Sequence, residues 1–168
     1  HERLVGSEMC IRDRYMTKVY YNNWLARLIL FKGYSTITLG PFILTKEDYL
    51  PDHVINEERI HARQWKDCFT MGMIIAYFAS FLFSAPYHWY AFLPFLLPFV
   101  LYYIMYLVEW LISFIYHVIK DKGKEVGESN SKAYHASAME MEAKENRDNM
   151  DYLRTRPFGA FFRYYGTI

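Results

Sequence analysis

Charged residues are absent from positions 68–108, and Glu109 is the only Asp, Glu, Lys or Arg between Cys68 and Ile119. An ordinary water-soluble globule needs a polar face on each outer helix, so this absence excludes that class. A strongly basic surface is also missing, because 19 Lys and Arg stand against 18 Asp and Glu, and nucleic acid is not an expected partner. With only two cysteines, a disulfide framework is excluded as well.

What the sequence has instead is two apolar segments, at about 68–86 and 91–119, separated by a break at 86–90. Roughly 20 helical residues cross the ~30 Å hydrocarbon layer, so each segment is long enough to span a membrane. The sequence therefore predicts a mostly α integral membrane protein, built on a two-span transmembrane helical hairpin surrounded by membrane lipid. Basic residues precede the first span and follow the second, and the turn has none, which predicts that both termini are cytoplasmic.

The flanking segments are predicted to form cytoplasmic structure around the hairpin. Amphipathic helices are expected at about 52–67 and 132–153, a further amphipathic segment at 19–31, and a flexible linker at 121–131. Gly40 and Pro41 form a turn signal between two β-prone runs, 34–39 and 42–45, which predicts a small β ribbon. Residues 1–15 include VGSEMCIRDR, which resembles translated sequencing-adapter sequence, so we interpret them as a non-native leader and 16–168 as a single membrane domain.

Candidate metal ligands lie on the helix that leads into the first span. Glu57 and His61 are one turn apart on the same face, so both can reach one ion, and Glu58 points beside them, where a carboxylate can act as a general base. His53 continues this stripe in the other direction and is either a further ligand or a bystander. Glu109, inside the second span, needs a partner: it either takes part in the metal site or is a protonated acid hydrogen-bonded across the hairpin.

Together these motifs resemble those of the gluzincin metallopeptidases, in which two histidines of HExxH and a downstream glutamate in an E-x-x-A context hold zinc. Glu140 and Ala143 fit the downstream pattern. The layout is also similar to that of short uncharacterised Bacteroidota membrane proteins that carry T-L-x-P-F, then N-H-E-x-I-H-x-x-Q, two spans and an F-E-x-E-A helix. The matching segments here are 38–42, 56–64 and 139–143, so the resemblance covers roughly residues 36–153.

The resemblance implies a site for zinc, or for another divalent metal, with the ligands His61, Glu57 and Glu140. It also implies Glu58 as the general base and Gln64 as a supporting residue one turn beyond His61. His135 and Glu142 are alternative ligands, whose plainer interpretation is solvent exposure on a charged helix. The chain departs from the family at Glu57, which stands where the family has its first histidine and makes the ligand set more negative than zinc peptidases favour.

Two functions follow from these features. The first is a zinc metallopeptidase-like protein of the bacterial inner membrane, gluzincin in type and either active or degenerate at Glu57, that cuts or binds a membrane-proximal polypeptide along strand 35–39. The second is a non-catalytic membrane protein or complex subunit, in which the same acids and His61 form a buried polar network. A membrane di-iron oxidase is disfavoured because the chain has too few histidines. A homodimer is compatible with either function, although neither span contains a G-x-x-x-G motif.

Overall fold

The computed structural model describes residues 17–30, 33–82, 89–120 and 126–166, and the predicted leader at 1–15 lies outside this part of the chain. The described chain is mostly helical and has a small three-stranded sheet, which confirms the predicted mostly α architecture. In chain order the elements are β1 (Val19–Tyr20), α1 (Trp24–Ile29), β2 (Thr36–Leu39), β3 (Phe42–Thr45), α2 (Asp52–Leu82), a 3-10 segment (Trp89–Leu96), α3 (Leu97–Lys120), α4 (Val126–His135), α5 (Ala138–Asn146), α6 (Tyr152–Thr155) and a second 3-10 segment (Ala160–Tyr164).

The sheet has the strand order β1-β3-β2, and β2 and β3 form the predicted ribbon. These two strands are antiparallel, with Thr36 opposite Thr45. Gly40 and Pro41 connect them, and Gly40 has φ +60°, a left-handed conformation that glycine adopts without steric strain. The turn chemistry read from the sequence therefore sets the register of the hairpin.

The segment predicted as amphipathic, 19–31, is divided in the structure. Its first residues form β1, which pairs with β3 in parallel and was not predicted. A new helix, α1, begins after Asn23, whose side-chain oxygen accepts hydrogen bonds from the N–H groups of Leu25 and Ala26. Trp24 and Leu28 of α1 are exposed, and positions 31 and 32 lie outside the described residues.

One helix of the described chain is long and apolar enough to cross a membrane. It runs over Leu93–Lys120, is 28 residues long, and contains an 18-residue window of mean hydropathy 1.9. It corresponds to the second predicted span, and its 3-10 start contains Pro94, which has no N–H to donate to a helical hydrogen bond. No other helix of the described residues meets the same criterion of length and composition. The outer end of the first predicted span, from 83 onward, lies outside the described residues.

The helices α2 and α3 pack through a stripe of small residues on α2. Cys68, Gly72 and Ala76 follow one another at intervals of four and are buried. A Cβ atom placed on Gly72 would lie 2.6 Å from the Cα atom of Pro98, so only glycine permits this approach. Beside this contact, Cys68 joins a core cluster with three buried side chains from other parts of the chain, Tyr102, Met139 and Phe161.

The predictions for residues 121–153 were wrong in two respects. Part of the expected linker is helical, because α4 begins at Val126 and buries Ser129 and Ala133. The expected single helix over 132–153 is three helices, α4, α5 and α6. The first break falls at Ser137, which has an extended backbone (φ −63°, ψ 133°) and gives its hydroxyl hydrogen bond to Glu109 of α3. This tertiary contact ends one helix and starts the next.

Candidate metal centre

Three side chains from two separate helices meet near the N-terminal end of α2. Glu57 and His61 lie one turn apart on α2, and Glu140 comes from the first turn of α5. One donor atom from each of the three residues lies within 4.8 Å of the other two, and His61 Nε2 is 3.6 Å from Glu140 Oε1. His61 and Glu140 are buried, whereas Glu57 is partly exposed. We call this cluster, Glu57, His61 and Glu140, the triad.

Both ends of α5 are held by side chains of other helices, and this fixes the position of Glu140. At the start of α5, Glu109 Oε2 accepts hydrogen bonds from Ser137 Oγ and from the N–H of Ala138, both at 2.9 Å. Beyond its end, Asn56 Nδ2 donates to the carbonyl oxygens of residues 146, 147 and 149. A carboxylate at a helix N-terminus and a donor at its C-terminus satisfy groups that the helix itself leaves unpaired.

Glu109 therefore has a defined place in the structure, and that place is outside the triad. Its second oxygen, Oε1, accepts a hydrogen bond from the hydroxyl of Tyr165. The acid on the apolar helix α3 thus has polar partners from α5 and from the C-terminal segment, as expected for an ionisable group in an apolar helix.

The orientation of the His61 ring is set by Gln64, one turn further along α2. His61 Nδ1 lies 2.9 Å from Gln64 Oε1. The amide nitrogen of Gln64 faces two acceptors, the carbonyl oxygen of Met139 at 2.9 Å and Glu142 Oε2 at 3.0 Å. Because the amide must donate to both acceptors, its oxygen is the atom that faces His61. In the neutral ring this arrangement places the proton on Nδ1 and directs the Nε2 lone pair into the triad.

Glu58 lies beside the triad and is held by the β ribbon. Thr38 of β2 donates its hydroxyl hydrogen bond to Glu58 Oε2 at 2.5 Å. Burial raises the pKa of the Glu58 carboxyl above its ordinary value, and the neighbouring carboxylates Glu57 and Glu140 raise this pKa further, while His61 and the Thr38 hydrogen bond lower it. Glu58 is thus a partly buried acid close to the triad that is not one of its three members.

Two cations and a tyrosine balance the carboxylates of the triad. Lys144 Nζ is 3.6 Å from Glu140 Oε2, and Arg147 Nη1 is 3.9 Å from Glu57 Oε2. Tyr106 of α3 donates its hydroxyl hydrogen bond to Glu140 Oε1 at 2.7 Å. Each acidic member of the triad therefore has a positive partner on the solvent side.

The remaining candidates from the sequence lie elsewhere. His53 is exposed two turns before His61, and His135 is exposed on α4 beside Lys144. Glu142 is fully buried, so its expected exposure was wrong: it accepts hydrogen bonds from Gln64, Tyr152 and Arg156 rather than facing solvent. An ion pair with a residue fourteen positions away is a contact that helical periodicity does not reveal.

Sequence reasoning also missed residues that build the site. Asn56 and Thr38 fall inside the matching motifs but had no assigned role, and their partners are on distant elements. Tyr106 lies one turn before Glu109 on α3, and this shared helical face was the one signal in the sequence that pointed to it. Comparisons with protein-family models, with curated proteins and with solved structures find no match to this chain.

Proposed function

We propose that this protein is a divalent metal-dependent hydrolase of the membrane, similar in its site to the gluzincin metallopeptidases, that acts on a membrane-proximal polypeptide. The observation that carries the proposal is the convergence of Glu57, His61 and Glu140 with a fourth group, Glu58, held beside them. One imidazole and two carboxylates are ligands that divalent metals accept, and a neighbouring carboxylate is what metal-assisted hydrolysis requires.

The donor set fits a metal in both chemistry and orientation. His61 presents Nε2 to the triad because Gln64 occupies Nδ1, and second-shell contacts of this kind orient histidine ligands in metal sites. Zinc is the proposed ion. With two carboxylates and one imidazole, the site also suits harder ions such as manganese better than a two-histidine site does. When bound, the metal supplies a positive charge that polarises the carbonyl of the scissile bond.

The chain's own residues supply the proton transfers. Glu58, as the carboxylate, takes a proton from the attacking water and returns it to the leaving amine. Burial raises the pKa of Glu58, which makes its carboxylate a better base. The Thr38 hydrogen bond acts in the opposite direction on this pKa and holds the carboxylate in place.

The β ribbon supports a polypeptide as the substrate. Within the part of the chain that the structure describes, β2 pairs only with β3, which leaves its other edge open. An extended peptide can add to such an edge through main-chain hydrogen bonds. Because Thr38 lies on β2 and contacts Glu58, a peptide bound along β2 would run next to the general base.

The proposal places the protein in the bacterial inner membrane, with two spans and both termini in the cytoplasm. Large apolar side chains support it, because they are exposed on the second half of α2 and along α3, including Ile74, Phe78, Phe81, Leu107 and Ile112. The bias of basic residues toward the ends of the hairpin supports the orientation.

A non-catalytic protein is the second candidate, and one observation favours it. Lys144, Arg147 and Tyr106 already give polar partners to the acids of the triad, so a stable network needs no ion. In that case the triad joins α2 to α5 and has no chemistry of its own.

Elemental analysis of protein purified in detergent without chelator distinguishes the two functions. The hydrolase predicts one divalent metal per chain, lost in His61→Ala because the imidazole ligand is removed. Glu58→Gln is expected to keep the metal and to lose roughly 10²- to 10⁴-fold in hydrolysis of a peptide substrate, since the general base is gone. Wild-type protein with no divalent metal would rule out the hydrolase and leave the polar network.

A further inference from the structure

A second cluster of charged side chains is connected to the triad through Gln64 and is buried. Arg156, which follows α6, has no exposed side-chain surface and bridges two buried acids, Asp67 of α2 and Glu142 of α5. Its Nη2 donates to Glu142 Oε2 at 3.1 Å, and its Nη1 donates to Asp67 Oδ2. Asp67 Oδ2 also accepts from the N–H of Gly159 at 3.0 Å. Buried ion pairs contribute little net stability, so their presence calls for another explanation.

Glu142 and the carbonyl oxygen of Met139 together determine which end of the Gln64 amide faces the triad. Oε1 of Glu142 accepts from Arg156 Nε and from the hydroxyl of Tyr152, and Oε2 accepts from Arg156 Nη2 and from Gln64 Nε2. The oxygens of Glu142 act as acceptors toward the Arg156 guanidinium, and the carbonyl oxygen of Met139, 2.9 Å from the same Gln64 Nε2, can only accept. Gln64 must therefore direct its NH₂ group to Glu142 and its oxygen to His61.

We infer that Glu142 and Arg156 are positioning residues that fix the tautomer of His61 through Gln64. Neither residue touches the triad. Their effect passes through two hydrogen bonds: Glu142 fixes the amide of Gln64, and the amide oxygen fixes the proton on His61 Nδ1. The Tyr102 hydroxyl lies 3.5 Å from the same Nδ1, at the outer limit of a hydrogen bond. The consequence for metal binding rests on the proposed function; the tautomer itself does not.

Two variants and one control test this inference. Glu142→Gln gives Gln64 a neighbour that can donate as well as accept, and Gln64→Met removes the connecting amide while keeping the ion pair of Glu142 with Arg156. Asp67→Asn is the matched control, because Asp67 contacts the same Arg156 but not Gln64. The first readout is the ¹⁵N NMR spectrum of the metal-free protein at alkaline pH, where the ring is neutral, with the His61 signals assigned from His61→Ala.

Wild type and Asp67→Asn are expected to show His61 with its proton on Nδ1 alone, and both Glu142→Gln and Gln64→Met to show a mixture of tautomers. The second readout is zinc affinity against a competing chelator, which should fall roughly 10- to 100-fold in these two variants and stay close to wild type in Asp67→Asn. If Glu142→Gln does not fold, Gln64→Met decides. A single Nδ1-protonated tautomer in folded Glu142→Gln or in Gln64→Met, or an equal tautomer change in Asp67→Asn, would overturn the inference. Wild-type protein that binds no zinc would instead defeat the proposed function and leave the tautomer comparison intact.

Discussion

The two halves of α2 bury opposite kinds of side chain. Over residues 52–67 the helix buries polar groups, among them Asn56, His61, Gln64 and Asp67, each with a partner on another element. Over 68–81 it buries only small side chains, while Ile74, Phe78 and Phe81 are more than half exposed. In water the second half would expose its large apolar side chains to solvent. In lipid these side chains would contact hydrocarbon, and the polar groups of the first half would keep their hydrogen-bond partners. The proposed first span therefore begins between two adjacent positions, Asp67 and Cys68.

The largest expected effect comes from breaking the buried charge cluster of the polar half. Arg156→Met leaves Glu142 buried without a cation and leaves Asp67 only the half-exposed Arg63, 3.6 Å away, and we expect it to lower the free energy of unfolding by about 3–5 kcal/mol. Denaturant unfolding in detergent, followed by circular dichroism, measures this loss. Arg154→Met is the control, because Arg154 pairs with Asp151 on the exposed surface. Equal losses of unfolding free energy in both variants would mean that the buried ion pair contributes no more to stability than the exposed one.

A charge placed on the apolar half tests whether lipid is its surroundings. Phe78→Lys is expected to reduce membrane integration by about 2.5–3.5 kcal/mol, the insertion cost of a lysine at the centre of a span. The measurement is the fraction of protein that stays in the membrane pellet after alkaline extraction. Tyr49→Lys changes an equally exposed aromatic residue outside the apolar half and should leave that fraction unchanged. A Phe78→Lys protein that integrates like wild type would contradict the first predicted span.

Gly72 tests the packing of the apolar half. Gly72→Leu places a side chain where even a Cβ would lie 2.6 Å from Pro98 Cα, so α2 and α3 must separate. Overpacking of this kind costs about 1–3 kcal/mol, measured as a lower midpoint of thermal unfolding in detergent. Met73→Leu, one residue further along and exposed, keeps the contact and should match wild type. Equal midpoints of thermal unfolding in the two variants would contradict the close approach of α2 and α3 at Gly72.

The smallest expected effect is a shift in pH dependence. Thr38→Val removes the hydrogen bond that favours the ionised form of Glu58, so the pKa of Glu58 rises further. Because the base acts only when ionised, the fall of the hydrolysis rate on acidification should begin at a higher pH than in wild type. Thr36→Val, on the same strand, serves as the control, since Thr36 bonds Thr45 instead. A pH profile that does not move would argue against Glu58 as the base.

Local patterns were sufficient for the features that depend on neighbouring residues. The i, i+4 spacing of Glu57 and His61 placed both on one face of α2, and the Gly40–Pro41 turn gave the ribbon. The apolar composition of 91–119 gave the long helix of the second span. Each of these signals acts over less than one element, and so a single sequence contains it.

Contacts between distant segments were beyond sequence reasoning. The break at Ser137 depends on Glu109, 28 residues earlier, and the buried environment of Glu142 depends on Arg156 and its bond to Asp67, 89 residues away. Glu140 and Glu142 of α5 had similar sequence surroundings, yet Glu140 belongs to the triad and Glu142 faces an arginine. Such choices are made by tertiary packing, which overrides local preference.

The carboxylate of Glu109 on α3 accepts a hydrogen bond from the N–H of Ala138, the first residue of α5, and Glu140 follows only two positions later. The long apolar helix α3 is accordingly a structural part of the triad and not a tether attached to it. A fragment that lacks this helix would lose the support under Glu140, so the proposed chemistry is not expected to survive its removal.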